Sequence, residues 1–111
     1  MKNDGNSFFK YAVAVAVACT ADEKPTGKVT QEQAATYIRS ILDLVFCYSG
    51  IEYDVYPMSY PRSGKIPIII RLYAFDDCLL WYYPNMSAGD LAVELESLLH
   101  NMLAEVLCMS A

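Results

Sequence analysis

The chain has 111 residues, 55% of them apolar and 19% charged, and a formal net charge of −5. That length makes one domain with one modest core, and the apolar excess implies surface that a partner or a second copy covers. All eight basic residues precede Leu72, whereas the last forty residues carry six carboxylates and no lysine or arginine; this excludes phosphate neutralisation, and so nucleic-acid binding, by the C-terminal half.

Residues 1–7 are polar and are expected to fray. Residues 8–21 are apolar on all sides. Alternating Ala and Val cannot separate helix from strand by periodicity, so a helix is expected and a strand is the close alternative. The run Tyr-Ala-Val-Ala-Val-Ala-Val-Ala-Cys at 11–19, after Lys2 and Lys10, resembles a bacterial lipoprotein signal. That resemblance implies lipidation at Cys19 and a cell-envelope location. A transmembrane helix would need about twenty apolar residues, which this run lacks.

Asp22–Gln33 has the layout of an EF-hand loop, with Asp22 first and Gly27 sixth. Lys24, Thr26 and Gln33 stand where calcium ligands belong, so the segment is expected to be a loop with a Pro-Thr-Gly turn. Thr30 with Gln33 three places on forms a capping box. It opens a helix over 30–49 whose buried stripe is Ala34, Ile38, Ile41, Leu42 and Val45, with Gly50 as terminator. The sheet is expected over 51–83. Glu52–Tyr56 is a short strand ended by Pro57, and Pro61–Lys65 is a turn. Ile66–Phe75 is the central strand, and Cys78–Tyr83 returns after a turn at Asp76-Asp77. That turn lacks the glycine preferred in two-residue hairpins. Neither face of this hairpin is polar, so both faces are expected to be covered, one by helices and the other by the Ala/Val segment or a second subunit.

The last helix is expected over 87–108. It starts with a second capping box, Ser87 and Asp90. Asp90, Glu94, Ser97, Asn101 and Glu105 make one polar stripe, opposite Leu91, Leu95, Leu98, Leu99, Met102 and Val106. Leu103 and Leu107 widen the apolar arc beyond what one sheet face needs. The fold expected is α+β: a three-stranded antiparallel sheet with helices packed on it. Its helix-β-β-β-helix core starts near residue 30, after an apolar N-terminal helix or strand, in a single domain.

Catalytic patterns are weak. The one histidine, His100, has no nucleophile or carboxylate at triad spacing. The five glycines are scattered singly, without a phosphate loop. Cys19, Cys47, Cys78 and Cys108 lie about thirty residues apart with no Cys-x-x-Cys, which argues against zinc. Buried, reduced thiols in a cytoplasmic protein are the expectation. No catalytic residue, metal or cofactor is assigned. Of the nine tyrosines, Tyr48, Tyr53, Tyr56 and Tyr60 cluster in or near an expected loop, and tyrosine is enriched in binding surfaces.

From Thr30 onward the order helix, three strands, helix is similar to the double-stranded RNA-binding domain. That family opens its last helix with phosphate-gripping lysines, and this chain has Ser87-Ala88-Gly89-Asp90 there. The segment Leu79–Val106 resembles the closing strand and helix of type III secretion chaperones, which are small, acidic and dimeric. The expected function is a non-enzymatic acidic protein-binding module, inhibitor- or immunity-type or chaperone-like, that docks on a basic partner protein and forms a homodimer. Glu94, Glu96, Glu105, Tyr53, Tyr56 and Tyr60 are the expected contact residues. A lipoprotein lipidated at Cys19 and a small enzyme of unknown class are the alternatives.

Overall fold

A computed structural model describes residues 4–47, 49–58, 63–73 and 77–110, with side chains between 11 and 102. The elements in order are α1 (Asp4–Cys19), a 3-10 turn (Ala21–Glu23), α2 (Gln31–Phe46), β1 (Tyr53–Pro57), β2 (Ile66–Leu72), β3 (Asp77–Tyr82) and α3 (Ala88–Ser110). The fold is α+β, as the sequence implies. Tyr60, the turn at Pro61-Arg62, Asp76, the side chains of Glu105, Val106 and Cys108, and the start of the chain at 1–3 lie outside the described residues.

The apolar N-terminal segment is a helix, and it begins at Asp4, within the polar stretch expected to fray. Among its described side chains Val13, Ala16 and Val17 are buried, and Thr20 just beyond it continues the same face, at three- to four-residue spacing. Thr20 is polar and buried, and its hydroxyl donates back to the Ala16 carbonyl at 2.9 Å, which satisfies the group without water. The following turn is fastened across the molecule, where the Lys24 ammonium donates to the Met86 carbonyl at 2.8 Å.

The capping box forms as its sequence dictates. Thr30 Oγ1 accepts from the Gln33 backbone, and the Gln33 side chain accepts from the Thr30 backbone. α2 then buries Ala34, Ile38, Ile41, Leu42 and Val45, joined by Ala35, Tyr37 and Phe46. It ends at Phe46, three residues before the expected limit, and Gly50 turns the chain at φ +77°, a value that glycine adopts without Cβ strain.

The sheet is fully antiparallel in the order β1-β2-β3, with Ile68 opposite Pro57 and Leu80, and Ile70 opposite Val55 and Cys78. β2 stops at Leu72 and β3 starts at Asp77, so the hairpin connection is longer than two residues. Asp77 was expected in that turn. It is instead the first residue of β3, opposite Arg71, and accepts a two-pronged ion pair from Nε and Nη2 at 2.8 and 2.9 Å. The pair is exposed, so it fixes the register of the hairpin more than it stabilises the fold.

All helices lie on one side of the sheet. α2 packs on β1 and β2, α3 packs on β3, and α1 lies against α3 and α2. The core between these layers contains Val13, Ile38, Ile41, Leu42, Val55, Ile68, Ile70, Leu72, Leu80, Tyr82, Leu95 and Leu99. The expectation that the Ala/Val segment covers the second sheet face is corrected here. The Ala/Val helix buries its apolar stripe against other helices, and within the chain no described element lies over the second face.

The cysteine expectation is also corrected. Cys19 and Cys47 are exposed free thiols, and Cys78 is half-buried. Both exposed thiols sit at helix ends, one closing α1 and the other following α2, where the chain leaves the core.

Candidate functional site

Alternation along the strands divides the sheet residues strictly. Val55, Ile66, Ile68, Ile70, Leu72, Leu80 and Tyr82 face the helices and are buried. The second face, here the outer face, carries three rows across the strands. Pro67, which is buried, lies beside Trp81; the half-buried Tyr56, Ile69 and Leu79 form the next row; Asp54, Arg71 and Asp77 form the third. Trp81 is 39% exposed, and Met58, just past β1, is 60% exposed. Large aromatic and aliphatic side chains in water are an unusual use of a sheet face and mark a contact surface.

Arg71 organises one end of this face. Its guanidinium grips Asp77 and lies 5.6 Å from the centre of the Tyr56 ring, a cation–π arrangement. The hydrogen bond to Asp77 holds the guanidinium pKa above its ordinary value and the Asp77 carboxyl below its own. The Tyr73 hydroxyl lies 3.4 Å from Asp54 Oδ2 at the same end. At the opposite end the Lys65 ammonium lies 5.8 Å from the Tyr83 ring centre.

The structure separates the residues singled out from sequence. Tyr56 is on the outer face. Tyr53 is on the inner side of β1, where it packs on Phe46 with ring centroids 5.4 Å apart and donates to the Asp43 carboxylate. Burial, followed by that carboxylate, raises the Tyr53 phenol above its ordinary range. Its side chain is spent on joining β1 to α2, as is Arg39, which donates to the Val55 carbonyl. Glu94 is exposed on α3 in line with Asp90, Ser97 and Asn101, and Val93 beside it is 64% exposed. Glu96 is half-buried on a flank of the same helix, because two residues along a helix is more than half a turn. The side chain of Glu105 and all of Tyr60 lie outside the described residues. The acidic residues and the tyrosines therefore do not form one patch: α3 is packed on the inner side of the sheet, and Tyr56 faces away from it.

Reading by sequence missed Trp81, Ile69, Leu79 and Met58 as surface residues. The signal was present as a hairpin with no polar face, but covering by helices explains the same pattern.

Two open grooves lie elsewhere on the described surface. One, of about 370 Å³, is lined by Tyr11, Ala12, Val15, Ala16, Cys19 and Leu44, which offer little polar chemistry. The other, of about 350 Å³, runs along α2 past Glu23, Glu32, Gln33, Thr36, Tyr37 and Ser40. Among the described residues no group of three or more His, Cys, Asp or Glu is placed to hold a metal ion, and no described helix is long and apolar enough to cross a membrane.

The titrating groups of the core carry a prediction. Burial pushes the Cys78 thiol up to about 11 and the Tyr82 phenol up to about 12, and raises Tyr37 as well. Each is an acid that keeps its proton longer when folded. The stability it contributes is present below its unfolded pKa and is lost as pH rises towards the folded value. Unfolded thiols and phenols titrate near about 8.5 and 10. The urea midpoint is thus expected to fall steadily above about pH 9, and denaturation curves from neutrality upward check it. A midpoint constant to about pH 11 would contradict the burial of these groups.

Comparison with protein-family models, with curated proteins and with solved structures found no match for this chain.

Proposed function

We propose that this chain is a non-enzymatic protein-binding module, of inhibitor, immunity or chaperone-like type, that docks the acidic outer face of α3 on a basic partner protein. The observation that carries the reading is the state of that face. Asp90 and Glu94 are exposed along it with Val93 between them. The ion pair found among the described residues, Arg71–Asp77, lies on the sheet and involves neither of these carboxylates. From Leu72 onward the chain has no lysine or arginine with which to neutralise them. Exposed charge of one sign around an apolar residue suits steering and docking of a surface of the opposite sign.

Lipidation at Cys19 is the weaker reading. Cleavage before Cys19 would remove Val13, Ala16 and Val17 from the core they share with α2 and α3. A small enzyme has less support, because the Ser40 hydroxyl in the second groove donates to the Thr36 carbonyl and not to a carboxylate.

The test is affinity capture from the source organism with the intact chain and with the Glu94→Lys, Glu96→Lys double variant. Both positions lie outside the buried core, so thermal stability is expected to change by less than about 1 kcal/mol. Capture of a basic protein is expected to drop about tenfold or more and to weaken with added salt. Equal capture by the two chains would sink the proposal.

A further inference from the structure

The outer face of the sheet has a polarity that α3 lacks. At the end where β2 begins it carries Lys65, exposed above Tyr83. Six residues along β2, about 20 Å away at strand spacing, it carries Asp54 and Asp77 around Arg71. Glu52 extends the acidic end: it is exposed, and its carbonyl accepts from the Tyr73 backbone at 3.1 Å. Among the described residues, those between the two ends are Met58 and Trp81, which are exposed, Tyr56, Ile69 and Leu79, which are half-buried, and Pro67, which is buried. The face thus has an apolar centre, a basic end and an acidic end.

We infer that a second copy of this chain covers this face, sheet against sheet, about a two-fold axis that crosses the strands. Packed sheets keep their strands within about 30° of one another, which leaves two symmetric arrangements. With the axis along the strands, Lys65 meets Lys65 and the carboxylates meet carboxylates. With the axis across the strands, Lys65 of each copy lies over the end of the other that carries Glu52, Asp54 and Asp77 against the one cation Arg71, an excess of two carboxylates, twice per dimer, and Trp81 and Ile69 of the two copies close over the centre. Charge complementarity selects the second. It also selects a second copy over the basic partner proposed for α3, which would meet Lys65 as a like charge. The face is small. Three strands about 4.8 Å apart give a footprint of roughly 14 by 20 Å, below the usual size of a tight interface, so the dimer is weak and reversible.

Sedimentation equilibrium of the intact chain over a range of concentrations tests this. A monomer–dimer equilibrium in the micromolar range is expected, weakened by salt. Emission of Trp81, the one tryptophan of the chain, should shift to the blue as dimer forms. Lys65→Glu and Glu52→Lys are each expected to raise the dissociation constant about threefold to tenfold, and the two together to restore it, because the exchanged charges still meet across the axis. Trp81→Asp should raise it at least about tenfold with unchanged circular dichroism. A wild-type chain that stays monomeric at its solubility limit overturns the inference. A double variant that associates no better than the single ones overturns it as well. This surface is distinct from the α3 face, so either proposal can fail without the other.

Discussion

Val13→Asp is expected to abolish cooperative folding, whereas Val15→Asp leaves the domain folded. Both residues are valines in the same Ala/Val run of α1, two positions apart. Val13 is completely buried, and Val15 is 48% exposed. A carboxylate at Val13 would lie in the core with Ala16 and Val17, between α1 and the helices it packs on, where an unpaired charge costs several kcal/mol and neutralising it costs nearly as much. A domain of this size has roughly 5–15 kcal/mol in total, and the loss takes most of that. At Val15 the carboxylate stays in water, and the change is expected to be within about 1 kcal/mol. Thermal unfolding followed by circular dichroism compares the two. Equal stability would mean that α1 is not part of the core, and would remove the argument against cleavage at Cys19.

Ile68→Ala is expected to destabilise the domain by about 2–5 kcal/mol, with a fall in melting temperature of about 10 °C or more. Ile68 is the centre of the middle strand, paired with Pro57 on one side and Leu80 on the other, and has no exposed surface. Strands on both sides and helices below leave its neighbours little freedom to close the cavity. Ile69→Ala, one residue on, removes the same atoms from the outer face, where Ile69 is half-buried. At concentrations where the chain is monomeric its cost should be about 1 kcal/mol or less. Urea denaturation of both variants measures the difference. Similar losses for the two would contradict the assignment of inner and outer faces.

Much of the architecture could be read from local pattern. Thr30 with Gln33 and the Ala34, Ile38, Ile41, Leu42, Val45 stripe specify α2, because cap chemistry and helical spacing act within a few residues. The Leu91, Leu95, Leu99 stripe specifies the buried side of α3 in the same way, and those three are buried. The β2–β3 hairpin follows from its β-branched run. α1 was ambiguous for a physical reason. Its exposed positions include Ala14, Val15 and Ala18, which are as apolar as its buried ones, so no periodicity shows until a neighbour selects one face.

The contact residues were less legible. Tyr53 and Tyr56 are alike in sequence, yet strand alternation sends Tyr53 into the packing with Phe46 and Asp43, and Tyr56 to the open face under Arg71. Asp77 and Asp90 looked like a turn and a cap. Asp90 does follow a Ser87 cap, with its backbone donating to Ser87 Oγ at 3.0 Å, but Asp77 is a strand residue held by Arg71 six positions away.

By itself the sequence determined the element types from α2 onward, the strand alternation and the acidic character of the last forty residues, all of which depend on neighbours in the chain. Only the tertiary structure decided where α1 packs and which face of the sheet the described helices leave open. Covering is a property of layers: an apolar face reads the same in sequence whether a helix, a second subunit or water lies against it.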